Sequence, residues 1–192
     1  GLGDTALFDQ GSATVDLATE ALSRGPLLPR APVARSMDRL LVLIDPLRFT
    51  QESEVLVTAG SFDQPGLDVD GGRLELDQTV VRAVHAVVGS GSSGELEARG
   101  PAGALQTSGR FAVGRGAHGS FSLRDGGEAT TAETLLGDGD EGIASVSGES
   151  SSWTTGNIAV GHASAGTLAV RDGARVFSEQ AVVDFNVPPG TA

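Results

Sequence analysis

The sequence predicts an all-β fold in which the chain winds as a parallel β-helix, with about 23–25 residues per coil and an irregular N-terminal cap or excursion. Three observations carry this prediction. Four stretches, VVGSGSSGELEA, AVGRGAHGSFSL, LLGDGDEGIASV and AVGHASAGTLAV, share one pattern: an apolar residue, Gly, four variable residues, Gly, then alternating apolar and small polar residues. Their first glycines, Gly89, Gly114, Gly137 and Gly161, are spaced by 25, 23 and 24 residues, and their second glycines, Gly94, Gly119, Gly142 and Gly166, each follow five positions later. Glycine is abundant, at 28 of 192 residues, yet lacks the G-X-Y period of collagen. A near-constant period of this length marks stacked supersecondary units rather than a globule closed in three dimensions.

From the N-terminus, GSATVD (Gly11–Asp16) mimics the later GIASVS (Gly142–Ser147) and reads as part of a first coil. Residues 18–48 hold four of the eight prolines, Pro26, Pro29, Pro32 and Pro46. Within them ATEALSR predicts a short helix ending before Gly25 and Pro26, and RLLVLI has the continuous apolar character of a buried strand. A solenoid needs its open end covered, because an open end exposes unpaired backbone and core. The segment reads either as that cap or as an excursion packed against the helix side. The chain thus divides into residues 1–52 (a first coil plus the Pro-rich cap or excursion), residues 53–185 (the β-helix) and a tail at 186–192, where Pro188 and Pro189 cannot donate to a ladder. EVLVTAG reads as a strand entering a first-glycine turn at Gly60, with Gly66 six positions on rather than five. DVDGGRLEL (Asp68–Leu76) echoes a later corner and strand, with Asp70 and Gly71 in the places of Asp172 and Gly173, and Thr79–His85 reads as inserted residues.

In the regular part, the register shows what each coil buries. Val88, Val113, Leu136 and Val160 precede the first glycines, and Ala86, Phe111, Thr134 and Ile158 stand two residues earlier. After the second glycines come Leu96 with Ala98, Phe121 with Leu123, Ala144 with Val146, and Leu168 with Val170. Alternation with period two puts these side chains on one face of a strand and turns Glu95, Glu97, Ser120, Ser122 and Thr167 to water. About eleven residues after the second glycine comes a third inward site, Leu105, Trp153 and Phe177, with Thr130 as its weak member. Before it lie the corners RGPAG, RDGGE, SGESS and RDGAR, whose Asp-Gly and Gly-Gly pairs tolerate the positive φ that a sharp corner requires. Stacked at ~4.8 Å, such coils pair backbone above and below and align equivalent side chains, for example Val88–Val113–Leu136–Val160.

The stretch GESSSWTTGNIAVGHASAGTLAVRDGARV resembles the repeat of bacterial autotransporter passenger domains and related β-helical surface adhesins. Ser152, Trp153, Gly156, Ile158, Val160, Gly161, Gly166, Leu168, Val170, Gly173 and Val176 occupy matching places, and the match is clear over about residues 86–178. Ala174 departs from the pattern in place of the second corner glycine, and Pro101 with Gly103 lengthens an earlier corner. The resemblance implies a right-handed β-helix on an exported bacterial protein, commonly a stalk or adhesive spacer. It carries over no catalytic residue.

Composition bounds the rest. Aromatics are 4% of residues, so the core is aliphatic and thin. The formal charge is −12 and every basic residue is Arg, a surface that repels phosphate backbones and anionic headgroups and excludes nucleic acid as an expected partner. Without Cys there are no disulfides, thiolate metal sites or Cys nucleophiles. The longest apolar run, Leu40–Ile44, is far below the ~20 residues of a membrane span, so no direct membrane insertion is expected. The opening GLGD, with no initiating Met, fits a processed protein or an excised fragment.

Candidate chemistry is sparse. Asp138, Asp140 and Glu141 in GDGDEG are the densest acidic group and the candidate site for a hard cation, although six to eight oxygens are needed and an exposed acidic turn is the simpler reading. Asp125 and Asp172 hold equivalent corner positions two coils apart, hence about 9–10 Å along the axis, near the carboxylate spacing of inverting glycosidases. Asp before Gly in a corner has a structural role of its own, through hydrogen bonds to nearby backbone. His85, His118 and His162 fall at three different repeat positions and form no ligand row, and Trp153 reads as core rather than as a sugar platform. Arg99, Arg124 and Arg171 recur before the corners and read as neutralising neighbouring carboxylates. The expectation is a non-enzymatic structural or adhesive β-helical segment of a secreted or surface-exposed bacterial protein, without cofactor. An extracellular glycan or a surface protein is the partner class, and self-association stays open. The alternatives are a polysaccharide-binding or polysaccharide-cleaving β-helix, with Asp125 and Asp172 as its carboxylates, and a self-assembling β-helical filament.

Overall fold

The computed structural model describes residues 5–8, 13–15, 33–43, 47–50 and 53–183. None of these is helical, and the strands stack in parallel as a solenoid of about six turns. Each coil sends one strand to each of three faces. The first described strands are β1 (Thr5–Phe8), β2 (Ala13–Val15) and β3 (Val33–Met37). The next coils supply β4 (Arg39–Val42), β5 (Leu47–Phe49) and β6 (Ser53–Val57), then β7 (Leu67–Val69), β8 (Arg73–Asp77) and β9 (Thr79–Ala83). After them come β10 (Ala86–Val88), β11 (Gly94–Arg99), β12 (Ala104–Val113), β13 (Gly119–Arg124), β14 (Glu128–Leu136), β15 (Gly142–Ser147), β16 (Ser152–Val160), β17 (Gly166–Arg171) and β18 (Arg175–Val183).

The second face is the sheet β2-β5-β8-β11-β13-β15-β17. The other two faces merge into one sheet, because from β12 onward each long strand begins on the third face and bends onto the first. Val69, Val88, Val113, Leu136, Val160 and Val183 stack in one column of the first face. Leu47, Leu74, Leu96, Phe121, Ala144 and Leu168 form its counterpart on the second. Trp153 is fully buried and meets Phe121 and Phe111 edge-on at 5.1 and 6.3 Å between ring centroids, while its small column neighbour Ala129 leaves room for the indole. Its Nε1–H donates to Thr131 Oγ1 at 3.1 Å, so the one polar atom of the ring is satisfied inside the core.

The glycine turn is where the backbone has least room. Gly89, Gly114, Gly137 and Gly161 all have φ of +75 to +81°, a region that glycine enters without penalty. The second glycine stacks on its equivalent in the next coil, Gly94 on Gly119 on Gly142 on Gly166. A Cβ on Gly119 would lie 2.3 Å from Gly114 N and 2.5 Å from Val88 O. The turn also keeps the ladder running in both directions. The N–H of Gly114 donates to Val88 O of the coil before at 2.9 Å, and the N–H of Gly119 donates to Glu141 O of the coil after at 3.0 Å.

Four readings of the sequence need correction. The third inward column is Leu105–Ala129–Trp153–Val176; Thr130 and Phe177 point outward, and Phe177 is 56% exposed. The cause is corner length. Residues 100–103 and 148–151 make four-residue corners, whereas Asp125–Gly127 and Asp172–Ala174 turn in three, so a fixed offset slips by one. Thr79–Ala83 is not inserted but is the third-face strand β9, with Thr79, Val81 and Ala83 buried. Asp70 follows Val69, the partner of Val88, and so stands at the first-glycine position rather than at the place of Asp172. Likewise EVLVTAG does not enter a glycine turn: β6 is a third-face strand, and Gly60 opens the loop back to the first face.

RLLVLI contains β4, with Leu40 and Val42 buried, while the helix expected at ATEALSR lies outside the described residues. At the far rim, β17 pairs with β15 and β18 with β16, and Val170, Val182 and Val183 are exposed.

Gly119→Ala is expected to cost about 3 kcal/mol or more, because the new methyl overlaps backbone that cannot move aside. Gly100→Ala, at φ +72° but with nothing nearer than Asp77 Oδ1 at 3.6 Å, should cost only the ~1–2 kcal/mol of a left-handed residue. Urea midpoints of the two variants give the comparison, and equal shifts would contradict the close-approach account.

Candidate functional site

The second face carries its chemistry on the outside. Glu75 and Glu97 are register partners on β8 and β11, alternate with inward leucines, and by pattern alone belong in water. Both are nevertheless buried, at 3% and 1% exposure. Arginines from neighbouring strands lie over them. Arg73 Nη2 donates to Glu97 Oε2 at 2.7 Å, Arg124 Nη2 reaches the same oxygen at 2.5 Å, Arg73 Nε lies 3.1 Å from Glu75, and Arg48 pairs with Glu75. Arg99 bridges to Asp77 at 2.9 Å. Burial alone would lower the Arg73 pKa, but the attraction of Glu95, Glu75 and Glu97 outweighs it and raises the value. Arg99 and Arg124 thus neutralise carboxylates of preceding coils, not the corner aspartates.

The acidic turn is paired on both sides. Asp138 Oδ1 lies 2.9 Å from His162 Nδ1 of the next coil, and Glu141 Oε2 lies 3.2 Å from His118 Nδ1 of the coil before. Asp140 Oδ1 accepts from the Glu141 N–H at 2.6 Å, within the turn itself. Among the described residues, no group of three or more His, Cys, Asp or Glu side chains is placed to hold a metal ion. His85 accepts from the Arg110 N–H through Nδ1 at 3.0 Å and meets the Phe62 ring edge-on.

Asp125 and Asp172 each open a three-residue corner, with φ of +55° and +54°, followed by Gly126 and Gly173 at +91° and +77°. The corner closes with Gly127 N–H on Arg124 O at 2.9 Å and Ala174 N–H on Arg171 O at 3.0 Å. The turn that joins the second face to the third is thus closed by backbone, with each aspartate as its left-handed first residue.

The third face bears a groove of about 550 Å³. One wall is the outward column Leu56–Arg82–Gln106–Thr130, which continues by strand register into Thr154 and Phe177. Val84 and Ser108, where the sheet bends, also line the groove. Arg82 joins Glu54 and Gln106, so its charge is met within the protein. A second depression of about 230 Å³ opens further along, with Thr154, Gly156 and Phe177 on its lining. Sequence reasoning missed both grooves because it had placed Thr130 and Phe177 inside. It also missed the buried carboxylates, whose only signal was the recurrence of Arg beside Glu on successive second-face strands.

No protein-family model, curated protein or solved structure matches this chain. Among the described residues, no helix is long and apolar enough to cross a membrane.

The charge ladder predicts an asymmetry. Replacing Arg73 and Arg124 together by Leu strands the Glu97 carboxylate and should cost about 3 kcal/mol, whereas Glu97→Leu frees arginines that can turn to water and should cost under ~1 kcal/mol. Thermal melts of both variants supply the test. At the corners, Asp125→Gly and Asp172→Gly relieve left-handed strain and are expected to hold or raise stability, by up to ~1 kcal/mol. A large loss of stability would show instead that the carboxylates bear structural load.

Proposed function

We propose that this chain is a non-enzymatic structural or adhesive segment of a secreted or surface-exposed bacterial protein. Its work is mechanical: it holds a stiff β-helical support on which turns and grooves are displayed. The observation that carries the reading is the unbroken run of backbone pairing, which passes through the glycine turns as well as the strands. Such a ladder spreads tension over many parallel hydrogen bonds. The resemblance of residues 86–178 to passenger-domain repeats supports the surface assignment, and the net charge of −12 favours solubility over adsorption to anionic polymers.

Force spectroscopy on the chain held at its two ends should show stepwise unfolding, with each coil of about 24 residues releasing roughly 8 nm of contour. A single featureless rupture at low force would count against a load-bearing role. Antibody labelling of intact native cells, compared with permeabilised ones, tests the surface assignment. Incubation with acidic and neutral polysaccharides tests the rest, since new chain ends that vanish with Asp125→Asn or Asp172→Asn would overturn it.

A further inference from the structure

We propose that the third-face groove binds a linear neutral glycan laid along the solenoid axis. The proposal deepens the adhesive part of the preceding reading and rests on it. The two are read separately, because glycan binding can fail while stepwise unfolding under force persists.

The first argument is repetition. Gln106, Thr130 and Thr154 stand in register on consecutive coils, so the outward column sets the Thr130 hydroxyl in the groove and the Thr154 hydroxyl in the adjoining depression one ~4.8 Å strand spacing apart, beside Gln106, whose amide oxygen accepts from Arg82. A receptor that repeats by translation along one axis is matched by a ligand that also repeats along one axis, as in other solenoids with extended binding surfaces. A linear polysaccharide has that property, and a compact metabolite does not.

Chemistry supplies the second argument. Threonine hydroxyls both donate and accept, which suits sugar hydroxyls of either orientation. Leu56 and Val84 provide apolar surface beside them for the C–H faces of a sugar ring, and Phe177, exposed at 56%, lies in the adjoining depression as a ring on which a further sugar can stack. The volume of about 550 Å³ falls in the range of small-ligand sites and is large enough for more than one sugar unit.

The third argument is charge. Arg82 is the groove's cation, and it is already joined to Glu54 and Gln106. With no free cation among the described groove residues and a net charge of −12, an anionic glycan meets repulsion without compensation. The geometry therefore points to a neutral polymer.

Affinity electrophoresis of the full chain through gels containing mixed-linkage β-glucan, galactomannan, arabinoxylan or dextran is the test, with polygalacturonate and alginate as anionic counterparts. Retardation by at least one neutral polymer is expected and none by the anionic pair. Oligosaccharides of the retarding polymer should gain affinity about tenfold between two and six sugars. Thr130→Glu and Thr154→Glu, both on the surface, should weaken binding at least about tenfold while leaving the melting temperature unchanged. Phe177→Ser should weaken the longer oligosaccharides and spare the shortest. Failure of every neutral polymer to retard the chain, retardation by the anionic polymers alone, or variants that bind like the parent would each overturn the proposal. So would sedimentation data showing a second copy seated on the groove and released by Thr130→Glu.

Discussion

The architecture depends on one close approach of backbone to backbone. At each glycine turn the Cα of the second glycine sits against the amide of the first and beneath a carbonyl of the preceding coil. Only a residue without Cβ fits there. The approach lets the amides of the turn reach carbonyls above and below, so the ladder does not break where the chain changes direction. An unpaired amide buried at this position would cost free energy comparable to a lost hydrogen bond in every coil. The aliphatic columns stack because the turn beside them holds register. Their burial then stabilises an arrangement that the glycines alone could not secure.

Outside that core, the chain treats its charges unevenly. On the second face, arginines spread over Glu75 and Glu97 and take these carboxylates out of water; on the acidic turn, the carboxylates meet histidines of adjacent coils. Both arrangements tie one coil to another. Stacking in register brings like charges together, as with Glu75 over Glu97, and the arginine cover is what makes that tolerable. The third face differs, since its exposed column runs from a paired arginine through an amide to hydroxyls and an aromatic ring.

Much of this was legible in the residues. The glycine spacings disclosed the coil, and period-two alternation identified the inward columns of the first two faces, down to the stacking of Val88, Val113, Leu136 and Val160. The third face was not legible, for a physical reason. Its register is set by corners that turn in either three or four residues, and an Asp in a left-handed conformation does in three what Gly-Pro-Ala-Gly does in four. No periodicity reports that choice. One slip moved Thr130 and Phe177 to the inside and concealed the two depressions that they respectively line. Before residue 86 the same difficulty is greater, because Asp70 replaces the first glycine and Gln78 makes the next corner alone at φ +63°.

Corner length has an evolutionary side. A residue gained or lost at a corner leaves the pleat of every strand intact, and the neighbouring coils still find their partners. The same event inside a strand would exchange its buried and wet sides and force a leucine into solvent. Length variants in descendants of such a gene should therefore gather at the junctions between the second and third faces, where the unequal corners 100–103 and 125–127 already lie side by side in adjacent coils.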